Sequence, residues 1–313
     1  MAHDPNQDQR ARIPRAAAYI VENLERSLSV AEVAKHVALS EFHFHRVFSA
    51  VMSETVGEFT LRRRMELSAL KLAYRPDLSI TQVALESGYS SSANFSKAFS
   101  AYFGCAPSEV RRPGAGTNSK LGKLTSRYGK DFDPGDLYAL PIPVDEAERE
   151  RRRSELERGV RYIDRPETPL ACLRSPSGYD YASIQQTWAE LIARARQLGI
   201  CGDEVDAFGI GHDSPQITAP ERCRYDACVP YDGKLRLSAP LFHSVIPAGR
   251  YAVFPYRGEV GGVEARVREI FSLWFPSSSV TPDEQFTSID HYVNDEPQDG
   301  VVDMEMWFKI RPR

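Results

Sequence analysis

Residues 40–53, SEFHFHRVFSAVMS, repeat as residues 91–104, SSANFSKAFSAYFG, at an offset of 51. No other feature narrows the fold as much, because a duplicated small unit implies two like structures in one chain. Phe44 falls on Phe95, Arg46 on Lys97, Phe48 on Phe99, and Ser49-Ala50 on Ser100-Ala101. A short helical segment precedes each copy, SVAEVAKHV from Ser29 and SITQVALESG from Ser79, and both serines are N-cap candidates. The pattern predicts helix, tight turn, helix, twice over.

Within each second helix the apolar residues recur at i, i+4 and i+8: Phe44, Phe48 and Met52, then Phe95, Phe99 and Phe103. That spacing makes one buried stripe and leaves the other face to solvent. The exposed face carries Glu41, Phe42, His45, Arg46 and Ser49 in the first copy, and Ser92, Ala93, Ser96, Lys97 and Ser100 in the second. Short polar and basic side chains near a helix N-terminus suit a DNA major groove, where Arg or Lys pairs with guanine. His43 and His45 do not make a metal site. At i and i+2 they diverge by about 200° around the helix and cannot converge on one ion. His43 is expected to be packed or half-buried and His45 to face DNA.

Between the copies, TVGEFTLRRRMELSALKLAY (55–74) is a strong helix former with Leu61, Met65, Ala69 and Leu72 on one side. About 18 helical residues span ~27 Å, a length suited to holding two reading helices near one DNA turn apart. Arg62, Arg63 and Arg64 suit phosphate contact, although a solvated arginine run accounts for them nearly as well.

The run FSKAFSAYFGCAPSEVR (95–111), with its phenylalanine spacing followed by Gly, Pro-Ser and Arg, resembles the AraC/XylS family of bacterial transcription regulators. The resemblance covers roughly 12–112. It implies an all-α domain of two helix-turn-helix units that bind double-stranded DNA through both second helices. The implied DNA-binding residues are Phe42, His45 and Arg46 in the first unit, and Ser92, Ala93, Ser96 and Lys97 in the second. Ala93 departs from the polar residue common there, which implies a less discriminating second reader. Contact with RNA polymerase is a further expectation from the family.

Charge agrees with this division. Residues 12–112 hold 13 Lys and Arg against 10 Asp and Glu, whereas 113–313 hold 25 against 31. Only the first third suits a polyanion. The five cysteines are odd in number and form no C-x-x-C pair, which predicts reduced thiols in a cytoplasmic protein. The start, MAHDPNQDQR, lacks a signal-peptide core, and no apolar run approaches the roughly 20 residues of a membrane span. No metal and no cofactor are expected.

From 113 to 158 the chain reads as a linker, first rich in Gly, Pro, Ser and Lys, then charged as DEAERERRRSELERG, a short helix or a solvated continuation. Residues 159–313 alternate strands and helices as β-α-β-β, twice. This predicts an α+β domain with an antiparallel sheet, helices on one face and a ligand cleft on the other. In 301–310 the even positions Val302, Met304, Met306, Phe308 and Ile310 are apolar and should meet the helices. The odd positions include Asp303, Glu305 and Trp307, and one face of 286–292 carries Phe286, Ser288, Asp290 and Tyr292. Carboxylates beside aromatics suit an aromatic-walled cleft for an organic cation or another amphiphile, although aromatics at strand spacing also serve as plain packing.

The stretches GIGHDSP, RYDACV, AGRYAVFPYRG and DMEMWFKI look like the GyrI-like small-molecule-binding domain, over 159–312. That resemblance implies an acidic residue in an aromatic cleft between the two halves. Glu305 matches it first, and Asp290 second, since Asp is one methylene shorter than the Glu common there. Tyr292, Trp307, Tyr251 and Trp188 complete the candidate effector contacts. Ser277-Ser278-Ser279 after Trp274-Phe275-Pro276 departs from the usual rim.

The expected function is a DNA-binding transcription regulator, monomer or homodimer, without a membrane anchor and with no catalytic residue. The second domain also fits two other roles: a small-molecule hydrolase using Glu305 with Tyr292 or Tyr251, or a ligand-free protein-interaction domain. Against the hydrolase, His212-Asp213 and Asp290-His291 are sequence neighbours that point apart on strands.

Overall fold

The computed structural model describes residues 12–111, 145–215, 217–283, 287–292 and 301–313, with the backbone of a short ladder of β1 (Leu124–Thr125) and β2 (Asp131–Phe132). Most of the expected linker, the N-terminal stretch through residue 11 and Phe286 lie outside the described residues.

The first domain is helical: α1 (Ile13–Glu22), α2 (Val30–His36), α3 (Glu41–Met52), α4 (Val56–Tyr74), α5 (Ile80–Glu86), α6 (Ser92–Phe103) and α7 (Pro107–Val110). Each start has a local cause. Ser29 accepts from the Glu32 amide, Ser79 and Gln82 form a reciprocal capping box, and so do Thr55 and Glu58. The two turns differ by one residue, Val37–Ser40 against Ser87–Ser91, so the caps repeat at an offset of 50 and the second helices at 51. Each turn contains one left-handed residue, Ala38 at φ 53° and Gly88 at φ 77°.

Phe44, Phe48, Phe95, Phe99 and Phe103 are fully buried, while Met52 is half-buried. Each such ring contributes roughly 1.5–3 kcal/mol by leaving water. Phe48 sits edge-on to Phe59 of α4 at 5.6 Å, which ties the first unit to the central helix.

Helix α4 is buried on more than one side. Met65, Ala69 and Leu72 are buried, as the periodicity predicts, with Leu61 half-buried. Arg62 and Arg63 are also buried, at 1% and 2% exposure, and Arg64 donates to the backbone carbonyls of Leu24 and Arg26. The expectation that this run contacts phosphate is corrected. Arg62 and Arg63 are paired with carboxylates inside the protein, and Arg64 is tied to backbone.

The second domain opens with α8 (Glu146–Gly159), so the charged stretch assigned to the linker ends as a helix. It is not merely solvated: Leu156 is buried, Arg152 pairs with Glu269 at 2.6 Å and Glu157 accepts from the Trp274 indole at 2.5 Å. The sheet strands are β3 (Arg161–Arg165), β4 (Thr168–Arg174), β5 (Ala207–Gly211), β6 (Tyr225–Pro230), β7 (Phe242–Ile246), β8 (Gly249–Glu259), β9 (Val280–Pro282), β10 (Ser288–Tyr292) and β11 (Val301–Pro312). Among the described residues they form a nine-stranded antiparallel sheet ordered β3-β8-β11-β10-β5-β6-β4-β7, with β9 on the end of β11.

The order is a palindrome of the two β-α-β-β halves. The seam is β10 against β5, and each half lends its first short strand to the other, β3 to β8 and β7 to β4. Helix α9 (Tyr181–Gln197) serves the first half. The second half has α10 (Val263–Glu269), which widens into a π-helical turn at Ile270–Trp274. Phe308 of β11 meets Phe271 of that turn at 5.3 Å, so the even residues of β11 do face the helices.

Candidate functional site

Two features of this architecture face outward or inward in ways that packing alone does not require. The first is the exposed side of α3 and α6. Phe42 is 81% exposed, and His45, Arg46, Ala93 and Lys97 are exposed, with Ser92 and Ser96 half-buried. His43 is half-buried and lies 3.4 Å from the Arg46 guanidinium through its Nδ1.

The second is a cavity of about 1050 Å³ over the middle of the sheet. Its floor is Asp290, Tyr292 and Tyr225 on the central strands, with Met304 and Phe308 of β11. Trp188, Ile184 and Ile192, at i+4 spacing on α9, make one wall; Val263, Val267 and Phe271 make the facing wall. The cavity therefore lies on the helix face of the sheet, between α9 and α10. The expectation of a cleft on the face opposite the helices is corrected. The two helices stand apart over the seam, and the gap between them is the cavity.

Trp188 donates from its indole to the Tyr225 hydroxyl at 3.1 Å, and Tyr225 and Tyr292 share a hydroxyl hydrogen bond at 2.9 Å. Trp188 and Tyr292 meet edge to face at 5.4 Å. These three rings hold one another in place at the edge of a carboxylate, Asp290, whose Oδ1 is buried and has no hydrogen-bond partner among the described residues. Burial pushes the Asp290 carboxyl up to about 7, because charge there is deprived of water with nothing opposite in sign to replace it.

A third arrangement joins the two domains. Asp213, after β5, receives Arg63 at 2.8 Å, Arg62 at 3.0 Å and Arg224 at 2.7 Å. Glu66 accepts from Arg63 at 2.9 Å and from the Thr218 hydroxyl at 3.0 Å, and it takes the Ser214 amide. Glu54 completes the set against Arg62 at 2.8 Å. Three guanidinium groups meet three carboxylates, so the buried cluster is neutral as a whole. Burial raises the Asp213 carboxyl, but Arg224, Arg63 and Arg62 outweigh it and hold the group well below the usual carboxylate range.

Residues 33–113 match the family described as Helix-turn-helix domain, and residues 160–311 the family described as GyrI-like small molecule binding domain. The transcriptional activator AarP of Providencia stuartii is 32% identical over 115 residues, 37% of this chain and 84% of that protein. The regulatory protein SoxS of Escherichia coli is 32% identical over 94 residues, 30% of this chain and 87% of that protein. The chain belongs to the AraC-type transcription regulators. A solved AraC-type regulator from Chromobacterium violaceum is similar at 26% identity over 32% of this chain and 88% of that one, with a TM-score of 0.30.

This AraC-type regulator thus carries a GyrI-like domain whose cavity gathers three of the six expected effector contacts: Asp290, Tyr292 and Trp188. The other three lie on the opposite face. The register of β10 on β11 pairs Asp290 with Met306 and His291 with Glu305, and paired residues project to one side. Glu305 is consequently held by Arg161, by the Trp307 indole at 3.2 Å and by His291 at 3.4 Å. Burial raises its carboxyl, but these partners together keep it below the usual range. Trp307 is buried beneath the Arg165 guanidinium at 4.7 Å, and Tyr251 is fully buried with its hydroxyl on the Pro247 carbonyl.

Placing Glu305 and Trp307 in one cleft with Asp290 and Tyr292 is therefore corrected. Parity within a strand is legible in sequence, whereas the register between strands is not. The same separation removes the pairing of Glu305 with Tyr292 that a hydrolase would use. The structure also adds residues that sequence did not offer, Leu70, Glu66 and Tyr74 of α4, which line the cavity from the other domain. Their i+4 spacing was present in the sequence, but it reads equally as a helix packed within its own unit.

Proposed function

We propose that this transcription regulator senses an organic cation or a cationic amphiphile bound in the cavity between α9 and α10. The observation that carries this is the buried Oδ1 of Asp290 among Trp188, Tyr225 and Tyr292, without a hydrogen-bond partner among the described residues. A carboxylate in that setting favours a cation that enters, and aromatic faces stabilise it further. Phe42, His45 and Arg46 on α3, with Ser92, Ala93, Ser96 and Lys97 on α6, are the residues we assign to DNA. The protein acts in the cytoplasm. AarP is named an activator, and we extend to this chain the contact with RNA polymerase that the family resemblance implies. No helix among the described residues is long and apolar enough to cross a membrane.

The test is a thermal-shift screen of lipophilic cations and matched neutral compounds on the wild type and on Asp290→Asn. A ligand at 100 times its Kd adds about 2.7 kcal/mol to the state it binds. Stabilisation by cations, absent with neutral isosteres and lost in Asp290→Asn, is the expected result. Equal stabilisation of both proteins would sink the assignment.

A further inference from the structure

The effector cavity has a wall that belongs to the DNA-binding domain. Glu66, Leu70 and Tyr74 lie at i, i+4 and i+8 along one face of α4 and reach the same space as Asp290 and Tyr292. They are fixed there at both ends. Arg63, one turn before Glu66, is locked to Asp213 at 2.8 Å, and the Tyr74 ring rests on Phe271, itself a cavity residue, at 5.1 Å. Helix α4 is also the element that joins the two helix-turn-helix units, with Phe59 near its start against Phe48 of the first unit and Ser68 bonded to Ser87 of the second at 2.8 Å. Anything that fills the cavity therefore presses on the helix that sets the spacing of both reading helices.

We propose that α4 is part of the effector site: a cation held at Asp290 packs against Leu70 and Tyr74, and so clamps the DNA-binding domain to the GyrI-like domain. This rests on the Asp290 reading above and deepens it. Ligand length then decides regulation. A small cation that stops short of α4 binds without consequence, whereas one that spans the cavity has a different affinity for clamped and unclamped protein, which is what coupling requires. No relay through the sheet is needed, because the ligand touches both domains.

The experiment uses the full-length protein and tetraphenylphosphonium as the probe, with affinity measured by calorimetry for the wild type, Asp290→Asn and Leu70→Trp. Tryptophan at position 70 intrudes on the cavity from the α4 side, and overpacking of this kind weakens binding by about tenfold or more. Loss in both variants is expected. Loss in Asp290→Asn with unchanged affinity in Leu70→Trp overturns the shared wall and leaves the acidic site standing; no binding by the wild type overturns both. Should Leu70→Trp fail to fold, a diazirine-bearing quaternary ammonium is photolysed on the wild type. Label on the peptide containing Leu70 and Tyr74 supports the proposal, and label confined to the GyrI-like domain refutes it.

Discussion

Arg63 of the DNA-binding domain and Asp213 of the GyrI-like domain meet at 2.8 Å with both side chains shut off from solvent. The pair is the centre of a neutral buried cluster, and removing one charge from such a cluster leaves another uncompensated. Asp213→Asn should therefore destabilise the protein by roughly 3–5 kcal/mol. All three tryptophans, Trp188, Trp274 and Trp307, lie in the GyrI-like domain, so their fluorescence reports that domain while far-ultraviolet circular dichroism is weighted to the helical one. In urea the two signals should coincide for the wild type and separate in the variant. Coincident transitions in Asp213→Asn would mean that the cluster does not couple the domains.

Acid should act on the same contact. Asp213 has a depressed folded pKa, so its contribution is present above the unfolded value of about 4 and disappears as pH falls through the folded value. The separation of the two transitions should therefore appear in the wild type only well below pH 4, and a separation already present at neutral pH would contradict the depressed pKa.

The two turns predict opposite responses to a single methyl group. Ala38 holds φ 53°, where a Cβ costs about 1–2 kcal/mol. Ala38→Gly should stabilise by about 0.5–1 kcal/mol after the extra chain entropy of glycine is subtracted. At Gly88 a Cβ would lie 2.5 Å from the Leu24 carbonyl oxygen and 2.6 Å from the Arg64 guanidinium. Gly88→Ala should lower the Tm, and an unchanged melting curve would show that the Leu24 segment yields freely.

How much of this was legible in sequence depends on range. The repeat, the caps at Ser29 and Ser79 and the alternation in β11 are set by residues a few positions apart, and they are as the sequence implied. The burial of Arg62 and Arg63 depends on Asp213, some 150 residues away, and no local pattern distinguishes such an arginine from a solvated one. The same holds for Glu305, whose partner Arg161 stands 144 residues away. Helix α4 illustrates the limit. It is apolar on one side and charged on another, and only the docked second domain makes the charged side an interior.

Arg46 is exposed on α3, and its near neighbour His43 approaches at 3.4 Å without enclosing it. An arginine free to reach a guanine edge contributes about 1–3 kcal/mol of discrimination. Arg46→Ala should weaken binding to a selected operator by that amount and relax preference at one base position in a randomised-site competition. Its repeat partner Lys97, a point charge without a fork, should cost less specificity when replaced by alanine. Equal base preference in wild type and Arg46→Ala would remove Arg46 from the readout.

Asp290 links stability, pH and ligand in one group. Its carboxyl is raised to about 7 by burial, above an unfolded value near 4. Between those values the unfolded chain releases a proton that the folded chain keeps, so stability falls as pH rises from about 4 to 7 and is flat beyond. At pH 8, without ligand, the folded protein bears the cost of a desolvated charge, of the order of 2–4 kcal/mol. Asp290→Asn keeps the shape and never ionises, so it should be more stable than the wild type at pH 8 and nearly equal to it at pH 4. Cation affinity should move the other way, rising as pH passes through about 7 in the wild type and remaining low and flat in the variant. Measured together by denaturation and calorimetry across that range, the two curves should cross-check each other. A stability gain at pH 8 without loss of cation binding would show Asp290 to be a strained structural acid and place the ligand's counter-charge elsewhere.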